Sequence, residues 1–186
     1  MVRFQTNRLW IRDIVEEDLG SLLFLYRKKE NMKFISDGRT EWSKEQLKDR
    51  YEQYNTYSDS GIAVFAVGIK GTNSIIGEAG LFNSFGDTKK LELGYILDKG
   101  YWKQGFGTEI CRGLIDYGFN VLKVEKLIAR MYAENTGSVK LSDKCGMNRV
   151  KAGETINKKA FYEYEIVNPN FFSEVSTIER EMKKAK

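Results

Sequence analysis

Two glycines, Gly105 and Gly107, stand in the run Trp102-Lys103-Gln104-Gly105-Phe106-Gly107-Thr108 where a helix should begin. A glycine turn opening a helix exposes backbone N–H groups and the positive end of the helix dipole, and together these bind an anion. The turn is entered from the apolar run Leu91-Glu92-Leu93-Gly94-Tyr95-Ile96-Leu97. Lys90 to Lys126 therefore reads as strand, glycine turn, helix, strand. Such a unit is built to hold a phosphorylated ligand beside a strand end.

The histidine count is zero. That excludes Ser-His-Asp and Cys-His catalysis in their usual forms, and histidine zinc sites with them. Two distant cysteines, Cys111 and Cys145, do not suggest a thiolate metal site, so no metal is expected. Any general base must be a carboxylate, a lysine, a tyrosine or a water chain. Both cysteines fall in expected helices and read as buried thiols in a reducing cytoplasm.

The chain of 186 residues is long enough for one domain with its own core. A net charge of +4 suits an anionic cofactor, and Lys and Arg are spread too evenly for a nucleic-acid face. No apolar run approaches the ~18 residues of a membrane span. Met1-Val2-Arg3-Phe4 leads directly into folded-type sequence, without a signal peptide pattern. A cytoplasmic protein is the expectation.

The elements that must position the turn follow from periodicity. Arg8-Leu9-Trp10-Ile11-Arg12 alternates as a first strand, and Leu19, Leu22, Leu23 and Tyr26 share a helical face. Residues 29–41 have no period and read as a loop. Ser43 and Gln46 form a capping box, stapled by Trp42 and Leu47, and Leu47, Tyr51 and Tyr54 continue that helix. Strands are expected at Ile62–Ile69, Ser74–Leu81 and residues 89–97. A helix runs from Thr108 to Leu122, and Lys126–Tyr132 is the next strand. Asn135 opens a short helix closed by Gly146. Asn148–Ala152 and Phe161–Val167 are the last strands. Pro169 ends the core, and Val175, Ile178 and Met182 suggest a terminal helix over 170–186.

Three ligands compete for the glycine turn. A P-loop requires G-x-x-x-x-G-K-[ST], which does not occur. A dinucleotide fingerprint needs a third glycine where Ile110 stands, and the turn lies too deep for a first βα unit. The pyrophosphate loop of an acetyl-CoA-dependent acyltransferase is the third reading.

At three places the chain resembles the GNAT superfamily of N-acetyltransferases, in its RimJ/RimL-like branch. The first is Thr6-Asn7-Arg8-Leu9-Trp10-Ile11-Arg12. The second joins Leu93-Gly94-Tyr95-Ile96-Leu97 to Tyr101 through Glu109. The third is Asn135-Thr136-Gly137-Ser138 followed by Lys144-Cys145-Gly146-Met147. The resemblance covers about residues 6–167 of a single domain spanning 1–186 and implies the GNAT fold. That fold is an α/β (α+β) architecture: a mixed twisted sheet flanked by helices, with a splayed central parallel strand pair.

The resemblance also implies roles. Tyr95, Ile96 and Leu97 would pair their backbone with the pantetheine arm of acetyl-CoA. Lys103, Gln104, Gly105, Phe106, Gly107 and Thr108 would cradle the pyrophosphate. The thioester would sit between strands 91–97 and 126–132, with Asn135 and Ser138 beside the pantetheine and sulfur end. Lys103, Arg112, Lys140 and Lys144 are cations within reach of cofactor phosphates. Two positions depart from the pattern: Trp102 stands where the loop usually begins with Arg or Gln, and Ser142 where many members carry an acidic tyrosine.

Acetyl transfer to an amine needs a neutral amine, a polarised carbonyl and a stabilised leaving thiolate. Glu92 interrupts Leu91 and Leu93, so it faces away from them, and it is the preferred base; a solvated residue on a half-exposed strand is the alternative. Glu78 is the second candidate. Ser138 is the candidate acid, against a role confined to capping its helix. Cys145 reads as packing rather than an acyl carrier. Trp42, Tyr51, Tyr54 and Tyr57 either line an acceptor site or belong to the core.

The function these readings imply is direct acetyl transfer from acetyl-CoA to a primary amine in a ternary complex, the acceptor being a protein N-terminus or a small-molecule amine such as a polyamine. The partners are acetyl-CoA and that amine, with a homodimer compatible and no membrane or nucleic acid. A non-catalytic acyl-CoA-binding module is the alternative.

Overall fold

The computed structural model describes residues 1–87 and 89–171. The expected terminal helix, with Val175, Ile178 and Met182, lies outside the described residues beyond Phe171. Eight strands form one mixed sheet: β1 (Val2–Gln5), β2 (Leu9–Asp13), β3 (Val64–Ile69), β4 (Ile75–Phe82), β5 (Lys90–Leu97), β6 (Lys126–Tyr132), β7 (Asn148–Glu154) and β8 (Ala160–Val167). Their order across the sheet is β1-β2-β3-β4-β5-β6-β8-β7, so β4 and β5 sit at its centre. β5 and β6 run parallel, joined through the helix α4 (Phe106–Asp116). The other neighbouring strands are antiparallel.

Helices cover both faces. α4 and α5 (Thr136–Lys144) pack on one, over a core that includes Leu9, Phe65, Leu91, Leu93, Leu114 and Leu127. α1 (Leu19–Tyr26) and α3 (Lys44–Tyr54) pack on the other, around Leu22, Tyr26, Leu47, Tyr51, Val64 and Ile96. The alternation of β5 feeds both cores: Leu91 and Leu93 enter the first and Ile96 the second. A register shift between β3 and β4, opposite Val67 and Gly68, leaves Ile76 as an extra residue. It turns Ile76 toward the first core and Glu78 toward the second.

Several expected boundaries move. β1 is a strand the alternation did not reveal, so the Leu9–Asp13 strand is the second rather than the first. Residues 29–41 are not wholly loop, because Lys29–Met32 makes a single helical turn, α2. α4 begins two residues earlier than Thr108, directly on Gly105, and is followed by a π-helical turn, Tyr117–Val121. β3 begins at Val64 rather than Ile62. The Ser43–Gln46 capping box is formed in both directions. Gly146, at φ +81°, follows α5 in the left-handed conformation that ends helices.

Candidate active site

The central parallel pair is short. Only Lys90–Glu92 pair with Lys126–Ile128. Past Glu92, β5 continues along β4 and β6 continues along β8. A V-shaped cleft therefore opens in the middle of the sheet. Among the described residues no strand pairs with the β6-facing side of β5 from Leu93 to Leu97, which leaves backbone groups short of the Leu97 carbonyl in want of partners at the heart of the fold. An extended ligand bearing amides satisfies them as an added strand would.

The glycine turn stands at the wide end of this cleft. Gly105 is the residue before α4, at φ +84°, and no side chain caps the helix. Its first amides are thus available to an anion. A side chain on Gly107 would come within 2.8 Å of Leu141 Cδ1 and 4.0 Å of the Tyr95 ring, so the glycine lets α5 and Tyr95 approach the start of α4 closely. The rest of the turn is bound to itself. The Trp102 indole donates to the Leu97 carbonyl at 2.7 Å, and the Gln104 side chain donates to the Gly100 carbonyl at 2.8 Å. Trp102 closes the turn where an arginine would reach outward. Lys103, at φ +60°, Arg112, Lys140 and Lys144 are exposed cations, and Arg112 also donates to the Lys144 carbonyl at 3.4 Å.

Arg8 was not legible as part of this region. Its guanidinium lies over the Phe106 ring, 4.0 Å from the centroid, and donates to the Gln104 carbonyl at 3.1 Å. Glu109 anchors it at 2.7 Å and also accepts from the Thr6 hydroxyl at 2.6 Å. Burial opposes the Glu109 charge, but these hydrogen bonds hold its carboxyl below the usual range.

The two faces of the cleft carry different groups. On the α4–α5 face, Ser138 lies beside Tyr95, and burial raises the pKa of the Tyr95 phenol. Asn135 Oδ1 accepts from the Ser138 amide at 3.3 Å, so Asn135 caps α5. Ser142 is buried, its hydroxyl 3.9 Å from Met131 Sδ. Cys111 is buried but Cys145 is half-buried, which corrects the expectation of two buried thiols. The Cys145 thiol donates to the Thr108 carbonyl at 3.9 Å, and the neighbouring Cys111 thiol lowers the Cys145 pKa against its partial burial, with help from Arg112.

On the α1–α3 face, Glu92 lies at the point where the strands part, opposite Phe82 on β4. It does not stand free in solvent: Arg130 of β6 binds both its oxygens, the Nε bond measuring 3.2 Å. Glu78 is buried and accepts from the Tyr26 hydroxyl at 2.6 Å and from the Tyr51 hydroxyl. Burial raises its pKa, outweighing both tyrosines and the nearby Arg50. Tyr51 is therefore core, whereas Tyr54 and Tyr57 are exposed.

Comparison with known proteins places this geometry. The family described as Acetyltransferase (GNAT) domain matches residues 8–148. The uncharacterized N-acetyltransferase p20 of Bacillus licheniformis is 32% identical over 143 residues, 76% of this chain and 79% of that protein. A spermidine N-acetyltransferase from Vibrio cholerae, solved with CoA and spermine, has a TM-score of 0.75 at 20% identity, covering 88% of this chain and 98% of its own. RimL, a ribosomal L7/L12 alpha-N-protein acetyltransferase solved with CoA, has a TM-score of 0.78 at 14% identity, covering 90% and 98%. The chain belongs to the GNAT acetyltransferase family. It is an acetyltransferase with the mixed sheet and central parallel pair of that fold.

Proposed function

We propose that the protein transfers the acetyl group of acetyl-CoA to a primary amine, within one ternary complex, and that it belongs to the RimJ/RimL-like branch. The observation that carries this reading is the opening of β5 from β6 beside an uncapped helix start. Leu93–Leu97 offer a strand edge to the pantetheine amides, and the 103–108 amides with nearby cations offer a seat for the pyrophosphate. The N-x-x-S string at Asn135 and the K-x-G string at Lys144 support the branch.

Acetyl-CoA supplies an activated thioester. The amine nitrogen forms the new C–N bond as the C–S bond breaks, the nitrogen gives up one proton, and the departing sulfur needs one. Glu92, on the α1–α3 face, takes the amine proton directly or through water. Ser138, on the opposite face beside Tyr95, serves the sulfur. The N-terminus of α5 adds a favourable dipole there. An α-amine, with an ordinary pKa of about 7.7–8.0, needs only weak base assistance.

Ser142, buried against Met131 where many family members carry a tyrosine, favours a second reading, a non-catalytic acyl-CoA-binding module. Thermal shift with acetyl-CoA tests the binding that both share. Thiol release with an amine panel separates them.

A further inference from the structure

The α1–α3 mouth of the cleft is lined by aromatic rings and cations. Tyr54 packs on Phe82, the neighbour of Glu92 on β4, with centroids 5.6 Å apart. Arg50 lies over Tyr54 at 4.6 Å and faces Trp42 at 5.7 Å. Arg39 lies flat on Trp42 at 3.8 Å. On the other bank, Lys90 and Arg130 both lie over Phe85, at 4.2 and 5.0 Å. Tyr132, at the end of β6, donates to the Ser36 carbonyl at 3.4 Å, so the segment carrying Arg39 is tied across the cleft.

The acids of this region are already engaged. Glu78 is buried between two tyrosines, and Glu92 is held by Arg130. Asp37 accepts from the Arg39 backbone amide at 3.0 Å, and Glu41 accepts from the Thr40 hydroxyl at 3.1 Å. Arg50 spends its Nε on the Tyr26 hydroxyl at 3.1 Å. Arg39 is half-buried, and among the described residues its Nε has no hydrogen-bond partner. A guanidinium donor left unmatched is costly, and a carboxylate is the group whose geometry suits a guanidinium edge.

We infer that the acceptor is a primary amine that also carries a carboxylate, bound by Arg39 with Arg50 adjacent, while its amine meets Glu92. This deepens the acetyltransferase reading and rests on it. It sets the acceptor apart from polyamines, whose cations would meet Arg39, Arg50 and Lys90 as like charges. The same chemistry is presented by a free amino acid, by a longer aminocarboxylate and by a short peptide with an acidic side chain.

The test measures kcat/KM by thiol release for α-amino acids, ω-amino acids of graded length and acidic dipeptides. Each is matched with its amide, and spermidine is run alongside. The carboxylate form should exceed its amide by about tenfold or more, and Arg39→Gln should bring that ratio toward one. The chain length preferred distinguishes the three sources. Equal rates for acid and amide, or a preference for spermidine, would overturn the inference. A second arm titrates N-acetylated acids and their amides into the CoA complex by calorimetry. If nothing turns over but the acids bind in an Arg39-dependent way, the anion site stands and the transferase reading falls. If acids and amides bind alike, or neither binds, the anion site falls.

Discussion

Arg130 of β6, two residues beyond the last residue paired with β5, grips the carboxylate of Glu92 where the two strands separate. The ion pair holds the proposed base at the apex of the cleft and fixes the direction of its oxygens. Glu92 is the more buried partner, 18% exposed against 41% for Arg130.

Replacing Glu92 with Gln keeps the shape and removes the base. We expect kcat to fall with little change in affinity for acetyl-CoA. The loss should lie within the ~10²–10⁴-fold range of base catalysis and shrink as pH rises and the amine deprotonates unaided. A pH-rate profile checks this. A loss independent of pH would assign Glu92 to holding Arg130 in place, and no loss would move the base to water or Glu78.

Gly107→Glu places a carboxylate at the start of α4, against Leu141 and before the Tyr95 ring. The protein should fold, because Leu141 Cδ1 is the end of a flexible side chain, but it should lose its melting shift with acetyl-CoA. A ligand at 100 times its Kd adds about 2.7 kcal/mol, which a thermal scan resolves. Undiminished CoA binding would remove the turn from the phosphate site.

Ser138→Ala should slow turnover roughly ten- to a hundredfold, the equivalent of losing a ~1.5–3 kcal/mol hydrogen bond to a charged group. Ser142→Ala, against Met131, should not. Tyr95→Phe, which removes the phenol beside Ser138, should follow Ser138→Ala in direction. Steady-state kinetics of the three variants decides the matter. Sensitivity at Ser142 with tolerance at Ser138 would reverse the assignment.

Glu78 gives a pH dependence of stability. Its carboxyl is raised above the ordinary 4.5 by burial. Below that value it is protonated in both states and contributes nothing. As pH rises past 4.5 the unfolded chain releases its proton while the folded chain keeps it, so stability declines until the folded group ionises. Urea midpoints across this window should fall with pH, and Glu78→Gln should flatten the fall. An unchanged slope in the variant would show that the buried carboxyl is not its source.

The glycine turn, β6, the capping box of α3 and the close of α5 were legible because each depends on local chemistry: a left-handed turn, period-two alternation, a side-chain cap. β1 escaped because four residues at a sheet edge, held by backbone pairing, carry almost no pattern. α2 escaped because one polar turn, Lys29–Met32, has no period. The contacts that give the site its character lie between distant residues. Glu78 meets Tyr26 across 52 positions, and Glu92 meets Arg130 across 38. No local pattern encodes such partners. Glu92 could be read as turned away from Leu91 and Leu93, but its guanidinium partner could not.

The central claim is acetyl transfer, and the most direct measurement follows CoA thiol and acetylated amine together in one reaction. Thiol release should require both acetyl-CoA and an amine and should match N-acetylated product mole for mole by mass spectrometry. A melting shift with acetyl-CoA but no thiol released with any amine would contradict the account and leave a binding module in its place.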